Sequence, residues 1–231
     1  MSDSPTLIDS IRAKLAELES ITPALRRDQD LDVPPTAALG RDWEPGQWLE
    51  PPLHPNELSA IENSLASPLP EDFRSVVGEL ANGMIGPGDG VRPLVMRSIL
   101  STSQRLRRRW SIETPLFPDY TRSYDRSIKR CGDGALVVSE LRSATVYVLI
   151  LTGEERGSIW YDDSANSGVV APVLTDESGH LIEVAHMDWS RGEPLLRQFE
   201  LMASEGRRAS FGSWYLNWLD KMIAAARARA T

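Results

Sequence analysis

A chain of 231 residues is long enough for one good core and a small extra element. With 41% hydrophobic and 25% charged residues its composition is ordinary, and no apolar run approaches the roughly 18–20 residues of a membrane span. A single cysteine, Cys131, excludes an internal disulfide framework, and a net charge of −8 counts against a general nucleic-acid binder.

That charge is unevenly laid out. Residues 1–91 carry −10, residues 92–130 carry +7, residues 131–206 carry −9 and residues 207–231 carry +4. Acidic faces beside a basic segment can steer partners of either sign. The first residues, MSDSPTLIDS, have neither a basic n-region nor an apolar h-region. No secretory signal is therefore expected, and the lone cysteine fits a reducing cytoplasm.

Residues 5–20 predict an amphipathic helix, because Leu7, Ile8, Ile11, Leu15 and Leu18 fall on one side. Residues 28–55 are rich in Pro and Asp and read as an extended connector. Trp43 and Trp48 within it are expected to pack on the domain, since large aromatics contribute most when buried. If exposed, they would instead be anchors for a partner.

A helix follows, with Leu58, Ile61 and Leu65 on one face and Asn56 as its expected cap. The next helix opens at Pro70, with Glu71 and Asp72 in the first turn on the favourable side of the dipole. Phe73, Val76, Val77 and Leu80 give its apolar stripe, and Asn82-Gly83 is its stop. A Gly-rich turn should lead into a strand at 91–95, and an arginine-rich helix should follow within 95–109. Residues 111–130 read as a loop.

From residue 131 the period changes to two. Ala135–Ser139, Thr145–Leu151, Ser158–Tyr161 and Val169–Leu174 are short runs separated by Gly and charged turns, which predicts an antiparallel meander. Both faces of Val146–Leu151 are apolar, so that strand should be covered on both sides. Helices are expected at 193–205, around Leu195, Phe199 and Met202, and from Ser210 to the end, with Trp214, Trp218 and Met222 on one face.

The order of these pieces resembles the SUKH superfamily, which includes a fungal cell-wall-synthesis regulator linked to killer-toxin resistance and many bacterial toxin-immunity proteins. The matching residues are Pro55, Ile61-Glu62, Leu65, Leu69-Pro70, Asp72-Phe73, Leu80, Asn82-Gly83, Gly86 and Leu94. Gly132, Gly134, Val146–Leu151, Gly157 and Trp160 are similar to its central sheet. Phe211–Leu216 and Trp218-Leu219-Asp220 are similar to its closing helix. The resemblance covers roughly residues 43–222. Met84-Ile85 departs from the usual Gly or polar residue, and residues 1–42 have no counterpart.

Candidate chemistry is sparse. Cys131 with His180 or His186 could form a nucleophile and base, yet no nucleophile motif surrounds it. His180, His186 and Asp188 match no standard zinc spacing. Gly86–Gly90 lacks the Lys-Ser/Thr of a phosphate loop, and Asp162, Asp163, Ser164 and Asn166 do not follow a calcium loop. Arg105, Arg107, Arg108 and Arg109, beside Trp110, could meet phosphates, but on a helix they share no narrow face. No cofactor, metal or catalytic residue is expected.

The expected fold is α+β: a mostly antiparallel sheet over roughly 91–174, packed by the helices at 56–82 and 193–229. The expected organisation is an N-terminal helix and connector, 1–42, followed by a SUKH-like domain, 43–231. The resemblance implies a non-enzymatic, cytoplasmic protein-binding domain that neutralises a toxin encoded nearby, or alternatively a regulator or scaffold of cell-wall synthesis; an enzyme of unassigned class is the least favoured reading. The expected contact residues are Glu154, Glu155, Asp162, Asp163, Asp176 and Glu177, with Trp43 and Trp48 as anchors if exposed.

Overall fold

The computed structural model describes residues 5–21, 48–112, 132–141, 144–166, 168–182 and 207–230. Within them the chain is α+β, as the periodicity predicts. Trp43, Cys131, His186, Asp188 and the helix expected at 193–205 lie outside the described residues.

Helix α1 spans Leu7–Ile21. Thr6 starts it: its hydroxyl accepts the Asp9 N–H at 3.1 Å and donates to the Asp9 carboxylate at 2.6 Å. Ile8, Ile11, Leu15 and Leu18 are buried, each worth about 1.5–3 kcal/mol of removal from water. They pack on the closing helix α5, Phe211–Ala230, so α1 shares the main core. Exposed pairs flank the contact, Lys14 with Asp220 and Glu17 with Arg227. Exposed pairs contribute at most about 1 kcal/mol each, so the apolar stripe holds the helix down.

Helix α2 spans Pro55–Leu65 and buries Leu58, Ile61 and Leu65. Its cap is His54, not Asn56: the imidazole Nδ1 accepts the Asn56 N–H at 3.2 Å, and the Glu57 carboxylate accepts the His54 N–H at 3.2 Å. The reciprocal bonds satisfy two donors at once, and Pro55 supplies a pre-set first turn.

Helix α3, Glu71–Ser75, runs directly into a π turn, Val76–Leu80. The Ala81 N–H reaches back five residues to the Val76 carbonyl at 2.9 Å, which closes the wider turn. The chain then leaves the helix. Gly83 takes φ 119°, and the Asn82 amide bonds both the N–H and the carbonyl of Leu94. The helix has already ended at Ala81, which is extended, so the stop expected at Asn82-Gly83 falls past its end; Asn82 instead ties this stretch to the following segment.

Helix α4, Met96–Leu106, packs on α2 and buries Ile99 and Leu106. The strand expected at 91–95 is reduced to bridge pairing at Val91 alone: Pro93 has no N–H to donate, and the backbone N–H and carbonyl of Leu94 are taken by the Asn82 amide. Bridges from Val91 to Ser139, Met84 to Val91, and Leu49 to Met84 extend the sheet one residue at a time.

The sheet is a four-stranded antiparallel meander: β1 Ala135–Glu140, β2 Val146–Ile150, β3 Ile159–Asp163 and β4 Val169–Pro172, in chain order. Strand β2 is covered on both sides, as expected. Tyr147 and Leu149 join the main core, while Val148 and Ile150 join a second cluster with Trp110, Trp160 and Val170.

The expected single sheet divides after β4. Residues β5 Leu174–Thr175, β6 Leu181–Ile182 and β7 Arg207–Arg208 form a separate three-stranded sheet, ordered β6-β5-β7. The two sheets join through a ring of three backbone bonds. Val173 N–H donates to Ile159, Ile159 to Ala209, and Ala209 back to Val173, all at 2.8–2.9 Å. All three residues are buried, so the ring satisfies groups that water cannot reach.

The main core is centred on α5. Phe211 meets Phe73 edge-on at 4.8 Å, Trp214 meets Tyr147 at 5.2 Å, and Tyr215 stacks on Trp218 at 5.7 Å. The Tyr215 hydroxyl donates to the Ile85 carbonyl at 2.6 Å. Trp48 lies in this core at 4% exposure, so its role is packing and the reading as an exposed anchor is withdrawn.

Gly134 tests how closely the second cluster is built. It has φ 67°, and an added Cβ would lie 2.2 Å from Thr152 Oγ1 and 2.6 Å from the Arg108 carbonyl. That hydroxyl accepts the Trp110 N–H and donates to the Arg108 carbonyl, so it cannot retreat freely. Gly134→Ala is expected to cost about 2–5 kcal/mol from backbone strain plus overpacking. Urea unfolding followed by circular dichroism checks it; a loss below about 1 kcal/mol would mean the segment relaxes.

Candidate functional site

An open cleft of about 820 Å³ lies where the start of α1, α3, the β2–β3 turn and the β7–α5 junction meet. Leu7, Ile8 and Pro70 supply apolar lining. Five carboxylates and two guanidinium groups supply charge: Glu71, Asp72 and Glu79 from α3 and its π turn, Glu154, Glu155 and Arg156 from the β2–β3 turn, and Arg208 from β7.

Several of these groups are already engaged. One Asp72 oxygen accepts the Phe73 N–H and the other accepts the Gly212 N–H, both at 2.8 Å. Asp72 thus caps a helix 140 residues away, while the Ser210 hydroxyl accepts the Ser213 N–H of the same first turn. Arg208 Nε donates to both oxygens of Glu155, at 3.1 and 3.0 Å, and that pair is mostly shielded from water. Arg156 donates to the Pro68 carbonyl at 3.0 Å. Both cations of the cleft are therefore committed to the protein itself.

The outward-facing acids are Glu71, Glu79 and Glu154. Neither Glu71 nor Glu79 has a side-chain bond or ion pair among the described residues. Arg12 reaches the Glu79 backbone carbonyl at 3.2 Å instead of its carboxylate. Glu154 has one exposed contact, with Arg109 at 3.4 Å. The cleft is left with surplus negative charge over an apolar lining.

Of the contact residues expected from sequence, Glu154 and Glu155 lie together in this cleft. Asp162 and Asp163 sit at the far end of β3, about 13 Å from its start by strand rise. Asp163 is buried and accepts from the Thr145 hydroxyl at 2.6 Å and the Asn166 amide at 2.8 Å, while Asp162 accepts the Ser164 N–H. These bonds shape the β3–β4 turn. Asp176 and Glu177 lie in the β5–β6 turn. The backbone N–H of His180 foremost, and that of Ser178, hold the Asp176 carboxyl below its usual range. His180 is exposed and 3.5 Å from Asp176.

The residues that sequence reading passed over are Glu71, Ser75 and Glu79. Glu71 reads there as a partner of the helix dipole. The spacing of four between these polar residues was the available signal. The arginines of α4 and beyond are largely committed: Arg107 to the Ser64 carbonyl, Arg108 to Asp133 and Arg109 to Glu154. Among the described residues no three His, Cys, Asp or Glu side chains gather to hold a metal ion, and no helix is long and apolar enough to cross a membrane.

Comparison of the chain with known protein families, with curated proteins and with solved structures finds no match in any of the three.

Two expectations follow from the site and the turn beside β3. Asp72→Asn keeps the shape but leaves one amide N–H facing a donor it cannot accept from. The expected cost is about 0.5–2 kcal/mol, read as a lowered melting temperature.

Burial, then the charges of Asp163 and Asp162, pushes the Tyr161 hydroxyl up to about 12, against a counteracting bond from Thr145. The folded state thus keeps this proton longer than the unfolded chain, whose tyrosine titrates near 10. The associated stability is complete below about pH 10 and is lost as pH rises toward about 12. Phenolate absorbance should show a tyrosine titrating near 12 that is lost in Tyr161→Phe, while Tyr215, held higher still by its complete burial, remains.

Proposed function

We propose that this chain is a non-catalytic, cytoplasmic protein-binding module that neutralises a cognate toxin by stoichiometric occlusion. The observation that carries this reading is the cleft. Arg208 is paired with Glu155 and Arg156 donates to the Pro68 carbonyl, while Glu71 and Glu79 present carboxylates with no ion pair among the described residues and Glu154 meets only the exposed Arg109. An open, charged recess over apolar lining suits a protein surface, because charge there steers encounter and selects a partner of opposite sign. The resemblance to the SUKH superfamily supports an immunity role, and such a role needs no reaction at the site.

The test is a tagged pull-down from the native host, followed by co-expression. The expected result is one stoichiometric, basic partner that is toxic alone and harmless beside this chain. Glu71→Lys with Glu154→Lys should abolish that protection while the fold persists. Recovery of envelope-synthesis proteins would replace this reading with the regulatory one, and a partner that is not toxic alone would overturn immunity.

A further inference from the structure

The cleft has a built wall as well as a charge. Glu71, Ser75 and Glu79 follow one another at intervals of four along α3 and its π turn, and all three line the cleft. In a straight α-helix eight residues advance about 100° each, which would leave Glu79 about 80° around from Glu71. The π turn fits more residues into its turn and so takes back part of that rotation. The widened turn therefore returns Glu79 toward the face of Glu71. π turns of this kind are frequent at functional sites.

What this wall is built to receive can be narrowed by chemistry. The carboxylates are not gathered closely enough to ligate a metal ion. Glu154 stands on a different element, the β2–β3 turn, and Leu7 and Pro70 supply aliphatic lining. The Ser75 hydroxyl is a further polar group with no bond recorded among the described residues. The volume, about 820 Å³, exceeds what a single ion needs and falls in the range of pockets for sizeable groups. A long side chain with an apolar stem and a cationic head matches all of these features.

We propose that the cleft is a receptor for basic side chains, arginine or lysine, projecting from the partner protein. The head lies along the Glu71–Ser75–Glu79 wall toward Glu154, and the stem lies on Leu7 and Pro70. Asp72 and the Glu155–Arg208 pair do not bind it; they hold the start of α5 and β7 and so fix the opposite wall. This inference deepens the protein-binding reading and rests on it for the nature of the partner.

The probe is a fluorescein-labelled hexa-arginine peptide, with hexa-glutamate as its counterpart, titrated by anisotropy at low and high salt. Wild type should bind hexa-arginine, release it as salt rises, and ignore hexa-glutamate. Glu71→Gln with Glu79→Gln should weaken binding about tenfold or more. Asp176→Asn with Glu177→Gln, on the β5–β6 turn and outside the cleft lining, should change it by less than about twofold. Both cleft glutamates are exposed, so their replacement leaves the core intact, and melting curves verify this. Should the double variant unfold, Glu154→Gln reads the same site from the other wall.

Equal weakening in both pairs of variants would mean diffuse acidic charge and overturn the receptor. No binding by wild type, or no change in the cleft variants, would also overturn it. The two readings fail separately. Peptide binding at the cleft with no toxic partner in the host retires immunity and keeps the receptor. A toxic partner whose affinity is unmoved by Glu71→Gln with Glu79→Gln retires the receptor and keeps immunity.

Discussion

The aromatic face of α5 is the constraint on which the described structure depends. Phe211, Trp214, Tyr215 and Trp218 are nearly or wholly inaccessible, and they touch three otherwise separate parts of the molecule. Phe211 meets α3 through Phe73, Trp214 meets β2 through Tyr147, and Tyr215 holds the Ile85 carbonyl of the segment after the π turn. Helix α1 then closes over the same helix with its aliphatic stripe. Such rings contribute large buried area and fixed geometry together, so removing one would loosen several contacts at once.

The cleft is a by-product of that packing. Two of its walls, the start of α1 and α3 with its π turn, belong to helices that converge on α5, and Asp72 serves both the cleft and the first turn of α5. Glu155 likewise joins the β2–β3 turn to β7. The site is therefore held by the interactions that stabilise the fold, and its outward charge is borne by side chains the fold does not need. This division lets surface acids vary while the frame persists.

Helices and strands were legible because their apolar residues repeat at 3.6 or 2. The stripes of α1, α2 and α5 and the double coverage of β2 all follow from spacing alone. Caps and turns were less so. His54 is a less usual cap than Asn56, and its Glu57 partner becomes meaningful only once the turn is known. The π turn leaves no mark in Val76-Val77-Gly78; the Val77 carbonyl there accepts the N–H of Leu53, a bond across the fold that spacing does not show. The strand expected at 91–95 failed because Pro93 has no N–H and the Asn82 amide takes both backbone groups of Leu94. Glu154 and Glu155 were expected to act together with Asp162 and Asp163, yet β3 carries the two pairs apart. The cleft itself was hidden because its walls come from four segments, and only folding places Glu71 near Glu154.

The partnership of α1 and α5 has a consequence in time. From Ile21 to Phe211 is about 190 residues, so the two halves of this contact are made far apart. At about 5–20 residues per second, Ile8, Ile11, Leu15 and Leu18 wait about 10–40 seconds for the helix that covers them. Contacts so distant in sequence also form slowly, because the loop must close before burial rewards it. During synthesis, then, α1 is an apolar surface short of its main cover until α5, made about 190 residues later, shelters it.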